Sequence, residues 1–160
     1  MDRGVPKIEN GDGQHLQVAV IVSMFNRDIT SGLEDGARQA LRDAGVPDDQ
    51  VVVCEVPGSF EVPQLAMSVA RTGRYDALVC LGAIIKGETT HDQHLADAVT
   101  NGLMRVGQET GVAVGLGVIT TNTLDQARVR SQPQERNRGY EAAAAAVALA
   151  AQLASSRDLP

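Results

Sequence analysis

The chain has 160 residues, 43% of them hydrophobic and 21% charged, and a formal net charge of −6 at pH 7. That length fits one domain around one sizeable core, and the acidic balance argues against a nucleic-acid partner, whose phosphates demand a basic face. With two Phe, two Tyr and no Trp, the core must be built from Val, Leu, Ile and Ala, so a Phe outside the apolar runs is informative.

Residues 1–15 are polar and Gly-rich and read as a flexible N-terminal arm, with 16–160 as the folded domain. The start MDRGVPKIENGDGQ lacks the apolar stretch of a secretory signal. No apolar run approaches the roughly 20 residues that cross a bilayer. The expectation is a cytoplasmic protein with no membrane partner.

From Gln17 the chain alternates. Gln17–Ser23 is a β-branched strand, and Asn26 is placed to cap a helix carrying Ile29, Leu33, Ala37, Leu41 and Ala44 at four-residue spacing. Gly45-Val46-Pro47 stops it. Gln50–Val56 is a second strand, and a helix with Pro63 in its first turn follows VPGSFEVP. Its apolar face is Leu65, Ala66, Val69 and Ala70. Ala77–Ile84 is a third strand, and a helix from His91 to Thr110 turns Leu95, Ala98, Val99, Gly102 and Val106 inward. Val112–Ile119 is a fourth strand. Thr120-Thr121-Asn122-Thr123 caps a short helix to Arg130, SQPQERN is a polar link, and an Ala-rich helix runs from Tyr140 to Ala154. Strands apolar on both faces and separated by helices imply an α/β fold with a parallel four-stranded sheet covered on both sides. Cys54 and Cys80 both lie in strands and read as reduced, buried thiols.

In such folds ligands bind beyond the carboxyl ends of the strands, and there this sequence puts its unusual residues. Phe25 follows the first strand, either as a hydrophobic staple or as a platform for a planar ligand. Phe60 follows the second, so two aromatics at adjacent strand ends point to one pocket. Glu61 either complements a helix dipole or accepts hydrogen bonds from hydroxyls. After the third strand comes LGAIIKGETTHDQH. Thr89 or Thr90 is an N-cap candidate, and Thr89-x-x-Asp92 has capping-box form. The backbone N–H groups of Gly87 to Thr90 would then face an anion such as phosphate. His91 is either a solvated helix-start histidine or a group that exchanges protons near neutral pH. His91 and His94 lack a third metal ligand, so no metal is expected. Arg130 and Arg138 bracket the link and matter only if it folds over a phosphate, in this subunit or a neighbour.

The motifs VSMFNRDIT, VPGSFEVP, LGAIIKGETTH, GVITTNTLDQA and NRGYEAA, in this order over Gln17 to Ala154, resemble those of the 6,7-dimethyl-8-ribityllumazine synthase family of riboflavin biosynthesis. The resemblance implies a flavodoxin-like three-layer α/β/α sandwich whose N-terminal arm adds to a neighbouring subunit. It implies condensation of 5-amino-6-(D-ribitylamino)uracil with 3,4-dihydroxy-2-butanone 4-phosphate, without metal or organic cofactor. The site would lie between neighbours of a homopentamer. By position, Phe25 would stack on the pyrimidine, and Ser59, Phe60 and Glu61 would hold the ribityl chain. Ala83, Ile84 and Ile85 would meet the pyrimidine edge, and Gly87, Glu88 and Thr89 would receive the phosphate. His91 would transfer protons. The neighbour would supply Arg130 as phosphate clamp and Leu116 as a wall, with Arg138 near the phosphate in the family's usual Lys position.

Three departures stand out. Asp92-Gln93-His94 replaces an aromatic–acid–aromatic run, Leu116 stands where the family often has Phe, and the link Gln132-Pro133-Gln134-Glu135-Arg136 replaces a Gly-containing segment. Without a length insertion, pentamer and pentamer-based icosahedral shell are both open. A second reading is a paralogue that assembles and binds a lumazine- or flavin-like ligand with little synthase activity. Retention of Phe25, Glu61, His91 and Arg130 together favours catalysis. A flavodoxin-like or receiver-like binding domain is a third reading, and the acidic pocket of a receiver is missing at the first strand end.

Overall fold

The computed structural model describes residues 4–133 and 137–160. Its four strands, β1 (Val18–Ser23), β2 (Val51–Val56), β3 (Ala77–Ile85) and β4 (Ala113–Thr121), form one parallel sheet in the order β2-β1-β3-β4. Five α-helices connect and follow them: α1 (Arg27–Asp43), α2 (Val62–Ala70), α3 (His91–Thr110), α4 (Leu124–Ser131) and α5 (Arg138–Ser156).

The unbroken apolar runs follow from burial on both faces. Along β1, Val18, Val20 and Val22 join a core with α1 and α5, while Ala19 and Ile21 join a second core with α2 and α3. β3 divides the same way, with Ala77, Val79, Leu81 and Ala83 on one face and Leu78, Cys80 and Ile84 on the other. The result is the three-layer α/β/α sandwich expected from the sequence, its sheet the shared wall of two cores. Both cysteines are free. Burial pushes the Cys80 thiol up to about 12, whereas Cys54 is only half-buried, so one of the two expected buried thiols is partly accessible.

Element ends moved by one or two residues, for identifiable reasons. The second strand starts one residue late because Asp48–Gln50 forms a 3-10 turn. β4 runs on to Thr121, whose carbonyl accepts the Lys86 N–H at 2.8 Å and prolongs the β3–β4 ladder. On α3 the buried stripe is Val99, Leu103 and Val106, while Ala98 faces solvent. Residues 9–16 form a turn against the end of α1, where the Gly11 and Gly13 N–H groups donate to the Ala44 carbonyl. Of the predicted arm, residues 1–3 lie outside the described residues, as do Gln134, Glu135 and Arg136 of the link.

α5 begins two residues earlier than expected because Asn137 caps it. The Asn137 Oδ1 accepts from the Gly139 and Tyr140 N–H groups, and its Nδ2 donates to the carbonyls of Gly32, Ser131 and Gln132 at 2.9–3.1 Å. With 2% of its surface exposed, this one side chain ties α1, the end of α4 and the start of α5 together. Asn137→Ala should cost about 2–3 kcal/mol, a lost cap plus buried amide bonds. Urea unfolding at fixed protein concentration measures it, and an unchanged midpoint would count against the tie.

Candidate active site

The carboxyl ends of β1, β2 and β3 open onto a cavity of about 610 Å³. Phe25, Asn26, Gly58, Ser59 and Phe60 line one part of it, Ala83, Ile84 and Ile85 its floor, and Gly87, Thr89, His91, Asp92 and Leu95 the remainder. The sheet order makes this possible. β1 lies between β2 and β3, so the turns after all three emerge side by side.

Backbone pairing past the strand ends sets the first wall. The Met24 and Phe25 N–H groups donate to the Val56 and Pro57 carbonyls at 2.8 and 3.1 Å, holding the turn after β1 against that after β2. Both phenylalanines of the chain stand here, Phe25 70% and Phe60 64% exposed. Large apolar rings placed outside both cores, beside an apolar cavity, make a surface for a planar ligand.

Asn26 does not do what the sequence predicted. It adopts the left-handed conformation (φ 58°, ψ 48°), and its side chain makes no capping bond to α1. An N-cap needs extended backbone. The Asn26 Nδ2 instead donates to the Ala83 carbonyl at 3.0 Å, tying the turn after β1 to the end of β3. Asparagine tolerates that φ better than most residues.

Ser59 is buried against the backbone of β3. A Cβ on Gly82 would lie 2.5 Å from the Ser59 Oγ, so glycine at 82 is what lets the hydroxyl approach. Glu61 is half-buried, and its Oε2 lies over Gly58, 2.9 Å from where a Cβ there would sit. Its carboxylate therefore stands beside a lining residue, though Glu61 itself is not one.

The α3 start also departs from expectation. Thr90 holds the N-cap position at φ −82° and ψ 9°, and its side chain makes no capping bond. Thr123, extended at φ −136° and ψ 156°, does cap α4 through the Gln126 N–H, as expected. At α3, the Thr89 Oγ1 accepts from the His91 N–H at 3.3 Å. The capping box with Asp92 is not formed, and the Asp92 Oδ1 is buried without a hydrogen-bond partner among the described residues. His91, in the first turn and exposed, lines the cavity. His94 lies 3.5 Å from the Thr90 Oγ1. Among the described residues no cluster of three His, Cys, Asp or Glu could hold a metal ion, and no helix is long and apolar enough to cross a membrane.

Nine of the residues singled out from the sequence thus line one cavity: Phe25, Ser59, Phe60, Ala83, Ile84, Ile85, Gly87, Thr89 and His91. Glu88 is exposed on the loop before α3 and outside the lining. Leu116, Arg130 and Arg138 lie elsewhere. Leu116 is 52% exposed, in an apolar groove at the β4 edge with Met104, Val114, Leu149 and Leu153. The Arg130 Nη1 donates to the Gln126 carbonyl of its own helix at 3.0 Å. Arg138 pairs with Glu141 in the first turn of α5. Sequence reasoning did not select Asn26, Gly58, Asp92 or Leu95 as lining residues. Adjacency to Phe25, Ser59 and His91 was the available signal for the first three.

The chemistry of this cavity is specific. It offers a stacking surface, a strand end that runs beyond its pairing with β1, helix-start N–H groups and an imidazole, and its order along the chain is that of the motifs above. The 6,7-dimethyl-8-ribityllumazine synthase family model matches residues 15–154, and the chain belongs to that family.

Proposed function

We propose that this protein is an active lumazine synthase, a transferase that condenses 5-amino-6-(D-ribitylamino)uracil with 3,4-dihydroxy-2-butanone 4-phosphate to 6,7-dimethyl-8-ribityllumazine. The observation that carries the reading is the gathering of Phe25, Ser59, Phe60, Ala83–Ile85, Gly87, Thr89 and His91 around one cavity. Phe25 stacks on the pyrimidine, and the strand end at Ala83–Ile85 meets its edge. Ser59, Phe60 and Glu61 hold the ribityl chain, with Glu61 accepting from its hydroxyls. Gly87, Glu88 and Thr89 take the phosphate at the positive end of α3.

The exocyclic amine attacks the ketone to give an imine, phosphate leaves, and the enol that results rearranges before ring closure and loss of water. Each step moves a proton, and His91 stands beside the proposed phosphate site to take and return it. Positioning two substrates supplies much of the acceleration.

The lining contains no lysine or arginine, so a phosphate there needs a cation from elsewhere. We assign it to Arg130 of a neighbouring copy, with Arg138 nearby, in a homopentamer whose contacts include the apolar groove around Leu116. Arg130→Ala should raise the Michaelis constant for the phosphorylated substrate roughly 10- to 100-fold, the worth of a charge-assisted hydrogen bond. An unchanged constant would remove Arg130 from the site. The deciding experiment mixes the two substrates with the protein and follows lumazine absorbance and fluorescence, with light scattering for the assembly mass. A pentamer or shell that binds lumazine yet forms none would favour the paralogue reading, to which the missing aromatic at Leu116 lends weight.

A further inference from the structure

Among the thirteen residues that line the cavity, Asp92 is the single carboxylate. It stands in the first turn of α3, directly after His91 and three residues from Thr89. There a carboxylate ordinarily takes a free N–H of the helix start and so neutralises part of its own charge. Here Thr90 is not extended and the box is not made, so the Asp92 Oδ1 is withdrawn from water with no donor among the described residues. A carboxylate oxygen without a donor lacks the local compensation that a cap would give it. Its negative charge acts on the same helix start whose N–H groups attract an anion.

We propose that Asp92 sets the anion affinity of this site: its charge weakens the hold on phosphate at the start of α3 and hastens release of the inorganic phosphate the reaction sets free. The inference rests on the synthase reading above and adds a specificity-determining residue to it. A site built only to bind phosphate would gain from a neutral or donor side chain at position 92. An enzyme that splits phosphate from its substrate and must then empty the same site gains from a moderate affinity. The carboxylate supplies that moderation without removing any N–H donor. Glu61, beside Gly58, and Glu88, exposed on the preceding loop, are the other acids of the region, and neither lines the cavity.

The test measures inorganic phosphate binding to the intact oligomer by calorimetry at one pH and ionic strength. Asp92→Asn keeps the shape and removes the charge. It should tighten phosphate binding roughly three- to tenfold, the size expected for one partly screened like charge. Asp92→Glu, which keeps the charge, should stay near the parent. Asp97→Asn, an exposed acid farther along α3, should change nothing. In turnover, Asp92→Asn should lower the Michaelis constant for the phosphorylated substrate and leave that for the ribitylaminouracil unchanged, a split that a general loss of structure would not produce. If the Asn variant does not fold, Asp92→Ser carries the same expectation. Phosphate binding equal to or weaker than the parent's in the uncharged variant overturns the proposal. A parent that makes lumazine while phosphate binding ignores position 92 sinks only this inference. A parent that neither makes lumazine nor binds phosphate sinks the synthase reading with it.

Discussion

Gly139→Ala should destabilise the protein by about 3 kcal/mol or more, at the upper end of what overpacking costs. A Cβ at this position would lie 1.8 Å from the Leu33 carbonyl oxygen and 2.6 Å from its carbon. Both are backbone atoms of α1, so no rotamer change can clear the clash. α5 would have to withdraw from α1, loosening Ala142, Ala143 and Ala146 from the core on that face of the sheet. Gly107→Ala is the matched control. Its nearest neighbour would be 3.6 Å away, an ordinary contact, and alanine in a helix interior gains about 0.5–1 kcal/mol over glycine. Chemical denaturation of both variants at one protein concentration decides the matter. Equal midpoints would mean that α5 does not lie this close to α1.

His91→Ala should lower the rate of lumazine formation about 100-fold, the lower end of what a positioned proton-transfer group contributes. Measurable activity should remain, because alignment of the two substrates is worth up to roughly 7–11 kcal/mol by itself and does not depend on the imidazole. Initial rates at saturating substrate test this. A rate equal to the parent's would leave His91 a solvated helix-start histidine. A complete loss would instead mean that the side chain also holds a substrate in place.

The layered fold was legible because its two central strands, β1 and β3, are buried on both sides. Val18–Val22 and Ala77–Ile84 show no polar alternation, and each successive side chain does enter one core or the other. The two phenylalanines were legible as neighbours in one pocket because each follows the carboxyl end of an adjacent strand, and both line the cavity. Whether a side chain caps divides by backbone geometry, for the predicted caps and for Asn137, which was not predicted as one. Thr123 and Asn137 have extended backbone and cap their helices, whereas Thr90 and Asn26 do not have it and do not cap. Residue type alone carries no record of that φ and ψ. The Asn26 tie to Ala83 spans 57 positions, a separation that no local pattern encodes. The uncapped carboxylate of Asp92 was hidden for the same reason, since Thr89-x-x-Asp92 looks like a completed box in one dimension. Leu116 and Arg130 were assigned to a neighbour through the resemblance, and in a single chain they lie outside the cavity.

The Ala- and Gly-lined contact of α5 has one more consequence, and it concerns rotational freedom. Gly115 admits the Ala142 carbonyl to within 2.2 Å of a would-be Cβ, and Gly139 brings α5 onto the backbone of α1. Alanine and glycine surrender almost no side-chain entropy when buried, whereas a leucine or isoleucine gives up roughly 0.5–1 kcal/mol. This layer therefore orders at little entropic cost although each contact covers a small area. At these two glycines, faced by backbone atoms, there are also no torsions with which to absorb a change. The α2–α3 side, which carries Leu78, Leu103 and Met67, can shift rotamers to accommodate a substitution. At the Gly115 and Gly139 contacts only movement of a whole helix could do so, so variation accumulated over time should spare those two positions and concentrate where side chains can turn.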